Sequence, residues 1–115
     1  SGAGVRALRA AAAQLGKAYR WGAEGPRNFD CSGLTSFSFL QAGITLPRSS
    51  SQQARVGRPV ALSDLQPGDL VFFHSPVSHV GIYAGGGKMI HAPQTGDVVR
   101  YSTVNRSTFS GARRL

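Results

Sequence analysis

His79-Val80-Gly81-Ile82-Tyr83-Ala84-Gly85-Gly86-Gly87-Lys88-Met89-Ile90-His91-Ala92 is the stretch that decides the fold. Two strand-length runs rich in β-formers, His79–Ala84 and Lys88–Ala92, flank three glycines, which is the pattern of an antiparallel hairpin. Val80, Ile82 and Ala84 alternate as a core face, and the histidines fall on the other. If Ala84 pairs with Lys88, Gly81 faces His91 and His79 is its diagonal neighbour, about 7–8 Å away on the same face. A slip of one residue would put the two imidazoles on opposite faces. Gly81 is expected to leave the histidine face open beside His79.

Outward from the hairpin, Asp64-Leu65-Gln66-Pro67-Gly68-Asp69 is turn chemistry ahead of a strand at Leu70–His74. Val98–Tyr101 reads as a fourth strand, and a fifth closes the chain near Gly111–Leu115. The first half is helical instead. Val5, Leu8, Ala12 and Leu15 recur at helical spacing. A second helix runs from about Cys31 to Ala42, with Asp30 as N-cap, a stripe of Leu34, Phe37 and Leu40 broadened by Phe39, and Gly43 as its stop. Ser49 or Ser50 caps a short third helix through Gln53 and Val56. The order predicts an α+β fold, with N-terminal helices packed on a central antiparallel sheet of about five strands. At 115 residues the expectation is one domain over 1–115: N-terminal helix 1–18, nucleophile helix 30–43, sheet 70–115.

The 41% apolar and 16% charged content is that of a globular chain, not a disordered one. No apolar run approaches the ~20 residues of a membrane span. Thirteen Lys and Arg, eleven of them Arg, oppose five Asp and Glu, for a net charge of +8. Such a field favours polyanionic surroundings. The charge is scattered and no aromatic-basic motif accompanies it, so nucleic acid is not the expected partner. Anionic bacterial wall is the alternative, and a solubilising surface is the plainest reading.

Cys31 is the one cysteine and has no partner for an internal disulfide. It follows an N-cap on the first turn of a helix, where unpaired N–H groups and the helix dipole lower a thiol's pKa. The same N–H groups can donate to an oxyanion, and Gly33 is expected to let a substrate approach the backbone. A thiolate nucleophile needs a base, and His79 with His91 on one sheet face can supply it. His74 is the spare, at the edge of a loop. A metal site built from Cys31, His79, His91 and His74 lacks any usual zinc spacing, so neither metal nor cofactor is expected.

Asp30-Cys31-Ser32-Gly33-Leu34, His79-Val80-Gly81-Ile82-Tyr83 and His91-Ala92 resemble the NlpC (NlpC/p60-type) family of cell-wall cysteine peptidases. Tyr19-Arg20-Trp21-Gly22, Leu46-Pro47-Arg48-Ser49-Ser50-Ser51-Gln52 and Leu65-Gln66-Pro67-Gly68-Asp69-Leu70-Val71-Phe72-Phe73 resemble its motifs in the same order, from about Tyr19 to Ala92. Ala23 departs from the second glycine often found after Trp-Gly, which bears on the shape of that loop. The resemblance implies a papain-like core with Cys31 as nucleophile, His79 as base and His91 orienting His79. It implies substrate or oxyanion contacts for Tyr19, Asp30, Ser32 and Ser50; helix capping and aromatic packing are the plain alternatives for Asp30, Ser50 and Tyr19. It further implies a secreted or envelope-located D,L-endopeptidase that cuts peptidoglycan stem peptides, commonly between D-glutamate and the diamino acid, without nucleic acid or membrane insertion. Ser1-Gly2-Ala3-Gly4 has neither a charged start nor an apolar h-region, as expected of a piece of a longer exported protein. A Cys–His amidase or acyltransferase, and a non-catalytic wall-binding module, are the competing readings.

Overall fold

Helices come first and strands second in the computed structural model, which describes all 115 residues. Helix α1 spans Gly2–Ala12, α2 Cys31–Gln41 and α3 Ser50–Gln53. Strands β1 (Arg58–Pro59), β2 (Leu70–Phe73), β3 (His79–Gly85), β4 (Lys88–His91), β5 (Arg100–Thr103) and β6 (Phe109–Arg114) follow, with a 3-10 turn at Leu62–Asp64. They form one sheet in the order β1-β6-β2-β3-β4-β5, and every neighbouring pair is antiparallel. The sheet has six strands, not five. The addition is β1, two exposed residues on an edge, too short and too polar to show an alternating pattern.

The hairpin register is the expected one where it matters. Ile82 lies opposite Ile90 and Tyr83 opposite Met89, so the same register carries Gly81 to His91; only at the turn does it shift, to Gly85 opposite Lys88. Val80, Ile82, Ile90 and Ala92 join Leu70 and Phe72 in the core shared with the helices. The alternate residues Val71, Phe73 and Met89 build a smaller cluster on the other face with Val60, Val104 and Ala112.

Two helical stripes differ from expectation. The buried face of α1 is Gly4, Ala7 and Ala11, while Val5 and Leu15 are exposed and Leu15 lies beyond the helix end. The cause is close approach: a Cβ on Gly68, which holds φ +97°, would sit 2.3 Å from the Gly4 carbonyl carbon. Small residues face the interior so that α1 can lie against the turn before β2. In α2 the buried residues are Ser32, Gly33, Leu34, Thr35, Ser38 and Phe39, and Leu40 is exposed. α2 packs against both α1 and β3 and buries more than one stripe, including polar groups that find partners inside. Strand β5 starts at Arg100 and not at Val98, because Val98 and Val99 pair with the segment after α1: Gly16 N–H donates to Val99 O, and Val99 N–H to Lys17 O.

Candidate active site

Cys31 opens α2, and Asp30 is its N-cap, accepting from Gly33 N–H at 2.7 Å. The other Asp30 oxygen accepts from Gly22 N–H at 3.0 Å and from Arg48 Nη2 at 2.7 Å. Arg48 Nη1 donates to Ser32 Oγ at 2.7 Å, and Arg48 Nε lies 3.3 Å from Glu24 Oε1. The carboxylate is therefore buried but met by two backbone donors and a guanidinium, as a buried charge must be.

Gly33 does not open the backbone to a substrate. A Cβ there would lie 2.0 Å from the Ala23 carbonyl oxygen, so the glycine admits the Tyr19–Glu24 loop onto the helix start. Ala23 completes that loop: its N–H donates to Arg20 O and its carbonyl accepts from Asp30 N–H. Gly81 likewise faces filled space. A Cβ there would meet Met89 Sδ at 2.8 Å and His91 Cβ at 3.3 Å.

His79 stands opposite Phe73 at the start of β3, its ring 5.8 Å from the phenyl centroid. His79 Nε2 and His91 Nδ1 are 2.7 Å apart. His91 Nε2 continues to Ser102 Oγ at 2.8 Å, and Arg100 Nη1 donates to that oxygen at 2.6 Å. Both ring nitrogens of His91 are thus engaged, and His79 retains Nδ1. His74 follows β2, exposed and at φ +71°, apart from this chain.

Burial pushes the Cys31 thiol up, Asp30 adds to it, and the backbone N–H groups of Val80, Ser32 and Cys31 itself oppose. The helix start does favour the thiolate, as expected, but desolvation outweighs it, so the pKa is raised and not lowered. Burial, with a contribution from His74, lowers His79 to about 4. Burial, His79 and Arg100 lower His91 to about 4, with Asp97 opposing. Neutral thiol and neutral imidazoles are the favoured forms.

A cleft of 350 Å³ opens at Cys31, with Trp21, Asp30, Arg48, Ser50 and Ser78 in its walls. Ser49, not Ser50, caps α3, in a capping box with Gln52, which leaves the Ser50 hydroxyl to the cleft. The Ser32 hydroxyl is held between Asp30 and Arg48. Tyr19 is half-buried; desolvation first, then the Cys31 and Asp30 charges, raise its phenol, while Arg48 lowers it. Of the residues singled out, Tyr19, Asp30, Cys31, Ser32 and Ser50 gather on the helix side, and His79 with His91 on the sheet side. No group of three or more His, Cys, Asp and Glu side chains is placed to hold a metal ion.

Sequence reasoning passed over three residues. Arg48 was visible only inside a motif. Ser102 has no signal until β5 is registered against β4. Gln53, fully buried, donates from Nε2 to Ser32 O, Ser36 Oγ and Pro47 O, and accepts from Thr35 Oγ1 at 2.6 Å, which ties α3 to α2.

The model of the NlpC/P60 family matches residues 16–113. A protein of Mycobacterium tuberculosis named probable endopeptidase is 51% identical over 100 residues, 87% of this chain and 26% of the relative. The structure of NlpC2 from Trichomonas vaginalis superposes with a TM-score of 0.92 at 36% identity, over 99% of this chain and 46% of that one. The peptidoglycan hydrolase RipB of Mycobacterium tuberculosis gives 0.90 at 30% identity, over 97% and 64%. This chain therefore spans from about a quarter to under two thirds of the length of these relatives.

Proposed function

The chain belongs to the NlpC/P60 family, and from that premise we propose that it is a cysteine peptidase acting on the stem peptides of bacterial peptidoglycan, with Cys31 as nucleophile, His79 as base and His91 orienting His79. One observation carries the reading. The 2.7 Å contact between His79 Nε2 and His91 Nδ1 engages one nitrogen of His79 and leaves Nδ1 without a hydrogen-bond partner, which supports a base whose other nitrogen serves the thiol.

The reaction begins with neutral partners. The Cys31 proton passes to His79 Nδ1 as Sγ attacks the scissile carbonyl carbon. Backbone N–H groups at the start of α2, with the Tyr19 phenol beside them, donate to the oxyanion. The C–N bond breaks, His79 returns the proton to the leaving amine, and an acyl-enzyme remains. Water, losing a proton to His79, releases the acid and restores the thiol. The bond is that between D-glutamate and the diamino acid, meso-diaminopimelate in many walls, so the products are a free D-glutamate γ-carboxyl and a new amine. Asp30, through Arg48, and Ser50 shape the cleft that receives the stem, and the +8 charge assists capture of its carboxylates. Such a substrate places the protein outside the cell or in its envelope, as part of a longer exported protein.

Digestion of purified peptidoglycan followed by mass analysis of the fragments tests this. The expected result is stem peptides cut after D-glutamate by the native chain and no cleavage by Cys31→Ala of unchanged fold. Intact stems released from the glycan would make it an amidase instead, and full activity in Cys31→Ala would end the proposal.

A further inference from the structure

The hydrogen-bonded chain does not stop at His91. Ser102 and Arg100 lie opposite Met89 and His91 on β5 and share the face of the imidazoles. Arg100 Nε is held at 3.2 Å from both oxygens of Asp97, which aims its Nη1 at Ser102 Oγ. A run of four side chains thus leads from His79 to the surface, with contacts of 2.7, 2.8 and 2.6 Å.

We propose that Ser102, fixed by Arg100, is a positioning residue that selects the tautomers of the histidine pair: Ser102 Oγ accepts from His91 Nε2–H, His91 Nδ1 accepts from His79 Nε2–H, and His79 Nδ1 is left bare to take the Cys31 proton. The inference rests on the peptidase reading above for its consequence, not for its geometry.

Counting donors leads there. A guanidinium only donates, so Arg100 occupies one lone pair of Ser102 Oγ. The hydroxyl can then donate to His91 Nε2 or accept from it. If it donates, the neutral His91 carries its proton on Nδ1 and must give it to His79 Nε2. His79 then holds its single proton on Nδ1, where a base needs a lone pair. If it accepts, every proton points away from the thiol, and the hydroxyl hydrogen of this half-buried serine turns to water. Only the accepting pattern serves both before and after proton transfer, because the imidazolium of His79 must donate from Nε2. Arg100 has a second effect. Its charge disfavours a proton on His91, and Asp97 opposes that effect.

Nitrogen-15 NMR of the histidine-labelled chain at neutral pH reads the tautomers directly. Both imidazoles should be protonated on Nε2 and bare on Nδ1. Ser102→Ala removes the acceptor from a buried N–H, so the tautomers should mix, and kcat on a muropeptide should fall about 10-fold or more with KM unchanged. Ser102→Thr, which keeps the hydroxyl, should restore both. Arg100→Gln should move the acidic limb of the rate profile to higher pH; the other groups acting on the pair, His74 and Asp97, remain in that variant, and Asp97, freed from Arg100, acts in the same direction. His79 protonated on Nδ1 in the native chain, or Ser102→Ala with native tautomers and native kcat, overturns the proposal. A native chain that cuts no muropeptide sinks the peptidase reading instead, and the NMR still decides this one.

Discussion

Removing Arg48 should expose how the start of the nucleophile helix is held together. In Arg48→Ala the Asp30 carboxylate, 9% exposed, loses a 2.7 Å ion pair and keeps the Gly33 and Gly22 N–H groups, with the Ser32 hydroxyl at 3.5 Å. Breaking a fully buried pair costs about 3–5 kcal/mol. Arg48 is 37% exposed and two donors remain, so solvent screening brings the expected loss to about 1–3 kcal/mol. For a chain of this length that is a fall of about 4–12 °C in Tm. A double-mutant cycle with Asp30→Asn, which keeps the helix cap, should return most of that loss as coupling energy. Arg48→Lys should recover only part, since an ammonium cannot bridge Asp30 and Ser32 as the guanidinium does. The chemistry should move as well. Asp30 already raises the Cys31 thiol, and Arg48 interacts favourably with the thiolate, so its loss should shift the pH profile of iodoacetamide labelling upward. A Tm within about 2 °C of native together with an unmoved labelling profile would refute this account of the cluster.

His91→Ala should lower kcat by about 10²–10⁴-fold, the scale for losing an orienting member of a triad, and His91→Asn should recover much of it; a fully active His91→Ala chain would remove His91 from the mechanism. Activity should survive EDTA and vanish with a thiol alkylator, because Cys–His chemistry uses no metal; loss with chelator and recovery with zinc would contradict it. Stability should be full above pH 6.5 and fall as pH drops toward 4, because His79 and His91, each lowered from 6.5 to about 4, take up protons in the unfolded chain first. One imidazole contributes about 3 kcal/mol by pH 4. Urea midpoints measured between pH 7 and 5 should show the slope, and a flat line would refute it.

The hairpin was legible because period-two alternation and three glycines leave few registers; the shared face of His79 and His91 depended on the register chosen, which the structure keeps at Ile82–Ile90 and Tyr83–Met89. Asp30 and Gly43 marked α2 by capping chemistry, which depends only on near neighbours. What depended on packing was not legible. In the stripe of Val5, Leu8, Ala12 and Leu15, Leu8 and Ala12 do pack against the core, but Val5 and Leu15 look buried until Gly4 and Gly68 show how closely the helix approaches the turn. Gly33 looks like an open approach for a substrate until the Ala23 carbonyl occupies it. Arg48 reaches Asp30, Gln53 reaches Ser32 and Ser102 reaches His91 across 18, 21 and 11 residues of sequence. No spacing rule reaches that far.

The electrostatics of the nucleophile follow the same division. A helix N-terminus is a local feature, worth about 0.3–1 kcal/mol to an adjacent anion. Burial is a property of the whole fold, and around Cys31 it opposes the charge more strongly than the N–H groups favour it. The same burial holds His79 and His91 neutral. Burial thus disfavours the thiolate and the imidazolium alike, and the proposed reaction starts from neutral partners. In the proposed reaction the proton crosses when the substrate is in place, and the lone pair on His79 Nδ1 is then the critical group. Everything that fixes that lone pair, from the 2.7 Å contact with His91 outward, then bears on rate. The Asp30–Arg48–Ser32 cluster acts on the other partner: Asp30 caps the helix that Cys31 opens and adds to the rise of the thiol pKa.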